Sequence, residues 1–296
     1  MTQKGRFTTP DGAQLPYLIT GSGPRPLVYI PGAGDGLASA DQLGSRMKWW
    51  LAGRLEYFRV LYVGRRLGLD EHVSLEQQAL DIKALLEHLD WPVSLIEGQS
   101  AGGALAQQLA LVAPEYVGAL ALSSTMAWLD ETSRALLAYW VELLRDEDWE
   151  TFFSSTTNLF WTEQRAAMLE PFKRLLVRLA RPGDKNRLLV ILQQLLAFDH
   201  GDLLEQITAP TLVTGGLEDE IFSPALQLAM AERITNVQTI MQPGFGHGND
   251  LENPAHIRLL AAFGRLHIAR QELLLGDPIA RHSAASINAV GDVLLS

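Results

Sequence analysis

The sequence predicts an α/β protein with a mostly parallel sheet, flanking helices and an inserted helical segment. Short apolar runs alternate with helical patterns over residues 1–125, only helical patterns occur from 126 to 204, and apolar runs resume at 210–214. The runs are apolar throughout, without alternating polar residues, which is typical of parallel strands that are buried on both faces. Together these observations indicate the fold class.

The predicted strands are short apolar segments bounded by turn-forming residues. They are residues 26–30, 58–63, 92–96, 117–122, 210–214 and 237–241, with residues 11–20 as one edge of an antiparallel hairpin. Two helices are predicted between them. Residues 75–89 carry apolar side chains at helical spacing, and residues 101–112 form a second helix that ends before Pro114.

The helical insertion divides the predicted domains. We expect a core formed by residues 1–125 and 205–270, a helical cap formed by residues 126–204, and a C-terminal tail formed by residues 271–296. Parallel sheets of this kind carry their ligands outside the carboxyl ends of the strands. The tail is rich in small residues and fits either a loosely docked helix or disorder.

Composition excludes several classes of protein. The chain has 296 residues, no cysteine and a formal net charge of −10, which rules out disulfides, thiolate metal sites and a cysteine nucleophile. The acidic charge disfavours nucleic acid and anionic membranes as partners, since both attract clustered Lys and Arg. The N-terminus lacks the apolar segment of a signal peptide, and no stretch approaches the ~18 apolar residues of a membrane span. We therefore expect a cytoplasmic protein.

Ser100 lies in the sequence EGQSAGG, after a predicted strand and before a predicted helix. A sharp strand-to-helix turn strains the backbone of its central residue, and glycines at Gly98 and Gly102 avoid collisions with their neighbours. Such a turn projects the serine hydroxyl at a helix N-terminus, where the N–H of Ala101 and the helix dipole can stabilise an oxyanion. The alternative is a serine that only caps the helix. The strand and helix on either side favour a nucleophile.

A serine nucleophile needs a base, and His247 is the best placed of the seven histidines. It lies in a glycine-flanked loop after the last predicted strand; the alternative is a surface histidine. The base needs a carboxylate, and Asp219 follows the preceding strand, in the chain order Ser, Asp, His. Glu218, Glu220 and Asp250 are neighbouring candidates, and a solvated acidic loop is the alternative for this segment.

The chain resembles the α/β-hydrolase family over residues 8–270. The close matches are GQSAGG, APTLVTGGLED, and a Gly-His pair followed by the tripeptide ENP. The resemblance implies an α/β-hydrolase fold with a helical cap. It also implies acyl transfer through Ser100, His247 and Asp219, which requires no cofactor and no metal ion.

Two motifs depart from the family pattern. Pro31 stands in place of a histidine before Gly32, but the oxyanion donor that the resemblance implies is the backbone N–H of Ala33, which survives a change of neighbouring side chain. Asp35 lies in the same loop; since a carboxylate facing the hole would repel an oxyanion, we expect it to point away or to bind the substrate. Gly64 replaces an aspartate of a structural turn.

Large aromatic side chains are frequent in the predicted cap. They are Trp128, Trp140, Trp149, Phe152, Phe153, Phe160 and Trp161. We expect most of them to pack the cap helices together. Gln99, Met126, Trp128 and Trp161 are the candidate residues of a substrate pocket. Arg65 and Arg66 follow a strand end; they could contribute to a carboxylate or phosphate site, but arginine on a loop is usually solvated, and we expect these two to be so.

The leading hypothesis is a serine hydrolase that cleaves a carboxylic ester or lactone of a small-to-medium, largely apolar substrate. One alternative is hydrolysis of a carbon–carbon bond in a diketone by the same three residues. Another is a ligand-binding or signalling protein that retains the three residues without turnover. The expected partner is a small-molecule substrate, and a homodimer is left open.

Overall fold

The computed structural model describes residues 2–43, 50–172 and 185–275, and a sheet lies at its centre. Eight strands of the described residues form this sheet: β1 (Gln3–Thr8), β2 (Gln14–Thr20), β3 (Arg25–Ile30), β4 (Phe58–Val63), β5 (Ser94–Gln99), β6 (Val117–Ser123), β7 (Thr211–Gly216) and β8 (Val237–Gln242). Their spatial order is β1-β2-β4-β3-β5-β6-β7-β8. The pairs β1–β2 and β2–β4 are antiparallel, and all the other pairs are parallel. The predicted α/β class and mostly parallel sheet are confirmed.

Helices connect the strands and cover the sheet. Those of the described residues are α1 (Ala40–Leu43), α2 (Ala52–Leu55), α3 (Leu75–His88), α4 (Ala101–Val112), α5 (Glu131–Arg145), α6 (Trp149–Phe160), α7 (Glu163–Leu169), α8 (Lys185–Ala197), α9 (Pro224–Glu232), α10 (Asn249–Glu252) and α11 (Pro254–Leu275). A 3-10 turn (Ala33–Gly36) follows β3. Among the described residues, no helix combines the length and apolar character that spanning a membrane requires.

The central strands are apolar because helices cover both faces of the sheet. Every residue of β5, β6 and β7 is buried. On one face, α3, α4 and α9 pack against the strands through residues such as Ile82, Leu109 and Met230. On the other face, α11 packs through Leu260 and Phe263. Burial on both sides removes the polar alternation that a half-exposed strand would need.

The parallel register brings the carboxyl ends of the strands to one edge. Gln99 of β5 lies opposite Ser123 of β6, which in turn lies opposite Thr214 of β7. In the next pair, Gly216 lies opposite Gln242 of β8. The loops that follow β5, β7 and β8 therefore start side by side.

Helices α5 to α8 lie between β6 and β7 and form what we call the helical insertion. Its buried residues include Trp140, Trp149 and Phe152, whose rings meet edge to face at centroid distances of 6.1–6.2 Å. These rings pack the insertion helices together, as expected. The same apolar cluster contains Ala101 and Ala104 of α4. The insertion is thus packed directly on the helix that follows Ser100.

The N-terminal part differs from the prediction. Strand β1 was not predicted, because its sequence QKGRFT has no apolar run and the strand is exposed or half-buried along its length. Strand β2 pairs with β1 and β4, so residues 21–24 connect β2 to β3, which is not a neighbour of β2 in the sheet. Residues 173–184 of the predicted cap and residues 276–296 of the predicted tail lie outside the described residues.

Candidate active site

Ser100 occupies a sharp turn between β5 and α4. Its φ of 52° and ψ of −123° lie in a region that side-chain-bearing residues rarely adopt. A Cβ on Gly98 would lie 2.6 Å from the Cβ of Ala106, and a Cβ on Gly102 would overlap the carbonyl oxygen of Ile30. Both glycines are therefore required by the close packing of α4 on β3 and β5, as the sequence predicts. The turn leaves Ser100 9% exposed.

His247 lies against Ser100 in the loop between β8 and α10. Its Nε2 is 2.9 Å from Ser100 Oγ, and the residue is 2% exposed. The rings of Phe160 and Phe222 meet the imidazole edge to face, with centroids at 5.5 and 5.4 Å. The N–H of Gly248 donates to the carbonyl of Phe160 at 2.7 Å. Contacts from the insertion and from the loop after β7 thus hold the ring in place.

Asp219 holds the other nitrogen of this imidazole. Nδ1 of His247 lies 3.0 and 3.1 Å from the two carboxylate oxygens. The carboxylate also accepts from the backbone N–H of Ile221 and Phe222 at 2.9 and 3.0 Å, and from Nε2 of Gln227 at 3.0 Å. Because an ionised carboxylate only accepts, Nδ1 carries the proton and Nε2 is left to accept from the Ser100 hydroxyl.

The neighbouring carboxylates have other partners. Asp250 accepts from Arg54 Nη2 at 3.2 Å, and Glu218 accepts from the N–H of Gly244 at 3.0 Å. Glu220 is exposed. Of the four candidates in the sequence, only Asp219 contacts His247 within the described residues.

A buried ionic network lies next to the turn at Ser100 and includes Glu97 of β5. Arg54 pairs with Glu97 of β5, whose Oε2 accepts from Arg54 Nε at 2.7 Å, and with Asp250. Burial by itself would raise the pKa of Glu97, but the charge and hydrogen bonds of Arg54 outweigh it and lower this pKa to about 2. Burial raises the pKa of Asp250, and Arg54 opposes this only in part. His256 lies 3.3 Å from Glu97.

The residues predicted to donate to an oxyanion belong to the two segments on either side of Ser100. Ala101 is the first residue of α4, and Ala33 is the first residue of the 3-10 turn after β3. The first N–H groups of a helix have no acceptor within the helix. The residue before the 3-10 turn lies close to Ser100: a Cβ added to Gly32 would lie 3.1 Å from the Cβ of Ser100.

One oxygen of the Asp35 carboxylate is hydrogen-bonded to two arginine residues, and the other has no hydrogen-bond partner among the described residues. Its Oδ2 accepts from Arg187 Nη2 at 2.5 Å and from the N–H of Arg65 at 2.7 Å. A Cβ on Gly64 would lie 2.8 Å from Asp35 Oδ1, so the glycine at this position leaves room for the carboxylate. These contacts engage one oxygen of Asp35, and the expectation that it points away from an oxyanion or binds the substrate stays a prediction.

Arg65 and Arg66 are buried, at 2% and 5% exposure, and the expectation that they are solvated is wrong. Arg66 pairs with Asp81 and Asp11. Arg65 contacts backbone carbonyls around the site. Arginine at a strand end is solvated only where no carboxylate or carbonyl satisfies its donors, and here the fold supplies both.

The candidate pocket residues separate in space. Met126 is fully buried in the apolar cluster that contains Ala101, and Trp128 packs at the edge of that cluster. Gln99 is 5% exposed, and its Nε2 has no hydrogen-bond partner among the described residues. Trp161 and Trp50 line a cavity of about 390 Å³ that Gln99, Met126 and Trp128 do not line. Neither Ser100 nor His247 lines that cavity.

Several residues around the site were missed by sequence reasoning. Gln227 supports Asp219, Thr125 donates to the carbonyl of Ser100 at 2.7 Å, and Arg187 reaches Asp35 from the insertion. None of them lies in a motif, so no local signal could identify them. Across residues 2–43, 50–172 and 185–275, no group of three or more His, Asp or Glu side chains is arranged to hold a metal ion.

Comparison with known proteins identifies the family. The profile of the family described as alpha/beta hydrolase fold matches residues 30–254. The BpoC protein of Mycobacterium tuberculosis, which carries the name of a non-heme bromoperoxidase, is 27% identical over 263 residues, covering 81% of this chain and 93% of that protein. A pimeloyl-[acyl-carrier protein] methyl ester esterase from Nitrosospira multiformis is 31% identical over 176 residues, covering 55% of this chain and 65% of that protein.

Solved structures agree with this match at the level of the fold. The crystal structure of MGS-M2, an alpha/beta hydrolase enzyme from a deep-sea metagenome library of the Medee basin, has a TM-score of 0.76 at 21% sequence identity. The match covers 88% of this chain and 96% of that one. The profile match, the strand order and the turn at Ser100 lead to one conclusion: the chain belongs to the α/β-hydrolase fold family.

Proposed function

We propose that the protein is a serine hydrolase that cleaves a carboxylic ester or lactone through an acyl-enzyme intermediate. The observation that carries this proposal is the hydrogen-bonded line from Ser100 through His247 to Asp219, with separations of 2.9 and 3.0 Å. These distances are within the range for proton transfer between a nucleophile and its base. The membership of the family and the esterase among the relatives support the same reaction class.

The first half-reaction forms the acyl-enzyme. Ser100 Oγ attacks the substrate carbonyl carbon while its proton moves to His247 Nε2, and Asp219 stabilises the resulting imidazolium. The N–H groups of Ala33 and Ala101 stabilise the tetrahedral oxyanion, and each such donor contributes roughly 3 kcal/mol to lowering the barrier. The intermediate then expels the alkoxide, which takes the proton from His247 Nε2–H.

The second half-reaction regenerates the enzyme. His247 removes a proton from a water molecule, whose oxygen attacks the acyl carbon. Collapse of the second tetrahedral intermediate releases the carboxylic acid, and the proton returns from His247 to Ser100 Oγ. The chain's own residues account for each proton transfer in this scheme.

The residues around Ser100 support a largely apolar substrate. Met126 belongs to the apolar cluster that contains Ala101, Trp128 packs against it, and we propose that this cluster forms the apolar surroundings of the acyl or alcohol group. Gln99 is the polar exception, because its buried Nε2 can donate a hydrogen bond that no described protein atom accepts. The helical insertion, packed on α4, is proposed to act as a cap over Ser100.

Substitution of the nucleophile tests the proposal. With p-nitrophenyl esters of increasing chain length and a set of lactones, Ser100→Ala is expected to lower kcat/KM by roughly 10⁴-fold or more while the melting temperature stays close to wild type. A fluorophosphonate should label the wild type at Ser100, as read by peptide mass spectrometry, and should not label the variant. Ser94→Ala is the matched control, because Ser94 is a buried serine at the opposite end of β5.

Three other results of these assays would contradict the proposal in whole or in part. A folded wild type that is not labelled would remove the nucleophile assignment altogether. Labelling without turnover of any ester or lactone would favour a ligand-binding member of the fold. Turnover restricted to diketones would favour carbon–carbon bond hydrolysis by the same three residues.

A further inference from the structure

The guanidinium of Arg65 contacts three backbone carbonyls around Ser100. Its Nη1 donates to the carbonyls of Pro31 and Gly32 at 3.1 and 3.3 Å, and its Nη2 donates to the carbonyl of Ala101 at 3.0 Å. These carbonyls belong to two separate segments, the loop after β3 and the first turn of α4. One side chain therefore joins the two segments that carry the proposed oxyanion donors.

The carbonyl of Gly32 accepts from Arg65 Nη1 and from the backbone N–H of Asp35, both at 3.3 Å, and these contacts set the direction of a proposed donor. The carbonyl of Gly32 and the N–H of Ala33 belong to one planar trans peptide, so they point in opposite directions. A donor that holds the carbonyl on the Arg65 side consequently directs the N–H to the other side. A charged hydrogen bond at the oxygen also polarises the peptide and strengthens the N–H as a donor.

The second donor has a corresponding contact. The N–H of Ala101 shares a peptide with the carbonyl of Ser100, which accepts from Thr125 Oγ1 at 2.7 Å and from the N–H of Gly103 at 2.8 Å. Each peptide that carries a proposed oxyanion donor is thus held through its carbonyl by a buried side chain. The side chain at the Gly32 peptide is charged, and the one at the Ser100 peptide is neutral.

Arg65 is itself held by a buried ion cluster that includes the helical insertion. Arg187 of α8 donates from Nη2 to Asp35 Oδ2 at 2.5 Å and to the carbonyl of Arg65 at 2.8 Å. Asp35 accepts from the N–H of Arg65 at 2.7 Å and lies 3.9 Å from its Nη1. Two arginines and one aspartate leave a net positive charge, and burial lowers the pKa of Arg65 to about 10, although Asp35 opposes this.

We propose that Arg65 is a positioning residue that orients the Gly32–Ala33 peptide towards the developing oxyanion, and that Asp35 and Arg187 couple this orientation to the helical insertion. The inference rests on the proposed function, since it requires an acyl-transfer site at Ser100. Arg65 acts through the backbone and does not touch the reacting atoms. The net positive charge of the cluster of Arg65, Arg187 and Asp35 also stabilises the oxyanion, because opposite charges attract.

Arginine is the side chain that this arrangement requires. Its planar guanidinium directs several N–H groups outward in fixed directions, whereas lysine carries one compact ammonium. Lysine at position 65 would keep the charge but could not hold carbonyls on two segments in the same geometry. Methionine would leave Asp35 paired with Arg187, a balanced pair, so the Arg65→Met protein is expected to fold.

Kinetics of Arg65→Lys and Arg65→Met test the proposal. We expect kcat for a p-nitrophenyl ester to fall by about 10- to 100-fold in both, less than the 10²- to 10³-fold typical of deleting an oxyanion donor, with KM changed less than about threefold. The affinity for an alkylboronic acid, which forms a tetrahedral anionic adduct with the serine, should fall by the same factor as kcat. The rate of fluorophosphonate labelling at Ser100 should also fall.

Arg66→Met is the matched control, because Arg66 is the adjacent buried arginine and pairs with Asp81 and Asp11, away from the carbonyls around Ser100. It is expected to lower the melting temperature and to leave kcat of the folded protein within about twofold. Arg187→Met, which leaves Asp35 paired with Arg65, should lower kcat in the same direction as Arg65→Met, since it acts on the same peptide through Asp35 and the carbonyl of Arg65.

The inference is overturned if Arg65→Met keeps wild-type kcat and labelling rate, if its only effect is on KM, or if Arg66→Met lowers kcat equally. A folded Arg187→Met protein with wild-type kcat would overturn the coupling to the insertion. Absence of labelling in the wild type would overturn the proposed function and this inference together. Normal wild-type labelling with an unchanged Arg65→Met rate would overturn this inference alone.

Discussion

Ser100 is held in a backbone conformation that costs free energy. Its φ of 52° with ψ of −123° is disfavoured for any residue with a Cβ, typically by ~1–3 kcal/mol. The surrounding contacts maintain it: the N–H of Ser100 donates to the carbonyl of Ser123 at 2.9 Å, and its carbonyl accepts from Thr125. A position at which strain is maintained around a reactive side chain is typical of a functional site.

At the residue scale, this strain predicts that Ser100→Gly is more stable than Ser100→Ala. Both lack the hydroxyl, but glycine adopts positive φ readily, so we expect a difference of about 1 kcal/mol in the free energy of unfolding in urea. The matched pair Ser94→Gly and Ser94→Ala, within β5, should show the opposite order because glycine weakens a strand. Equal stability of the two Ser100 variants would mean that the turn is not strained.

At the scale of elements, the candidate site depends on how closely α4 approaches the sheet. The first turn of this helix lies against the end of β3 and against the start of the segment after β6. A Cβ on Gly102 would overlap the carbonyl of Ile30, and a Cβ on Gly103 would overlap the side chain of Thr125. This contact also brings the N-terminus of α4 next to Ala33.

Gly102→Ala is therefore expected to destabilise the protein by about 3 kcal/mol or more, because the opposing atoms are backbone and cannot move aside easily. Gly34→Ala is the control: it lies in the neighbouring 3-10 turn, and a Cβ there would meet no atom within 4 Å. Thermal unfolding followed by circular dichroism measures both. A Gly102→Ala protein with the melting temperature of the wild type would show that α4 can shift without loss of stability.

At the scale of the whole molecule, residues from three distant parts of the chain form the buried network behind Ser100. Arg54 comes from α2, Glu97 from β5 and Asp250 from α10, and each is 1% exposed or less. A buried charge is tolerated only when it is paired and hydrogen-bonded. Because Glu97 and Asp250 depend on the same arginine, this network ties the segments around the site to the core.

Arg54→Met should consequently destabilise the protein by roughly 3–5 kcal/mol, the usual effect of removing one partner from a buried ion pair. Lys83→Met breaks an exposed pair with Glu87 on α3 and should change stability by about 0.5 kcal/mol or less. Urea unfolding at pH 7 compares the two variants. A small effect of Arg54→Met would indicate that the carboxylates take up protons or water without disturbing the fold.

Much of the fold and of the candidate site is predictable from local patterns. Apolar runs and helical spacing identify β3 to β7 and helices α3 and α4, because burial on two faces leaves a continuous apolar signature. The glycines around Ser100 identify the turn, since only residues without side chains allow such close packing. The polar edge strand β1 was missed because half-exposed strands carry no such signature.

Motifs identified Ser100, His247 and Asp219 as candidates. The contacts in the folded structure decided which of the neighbouring carboxylates pairs with His247. Asp219 contacts His247, whereas Asp250 is taken by Arg54, and no spacing in the sequence separates these two cases. The sequence likewise does not predict that Arg65 is buried or that it contacts carbonyls on two segments. The physical reason is that local patterns record which side chains leave water, while the partner of a buried charge depends on segments that meet only after the chain has folded.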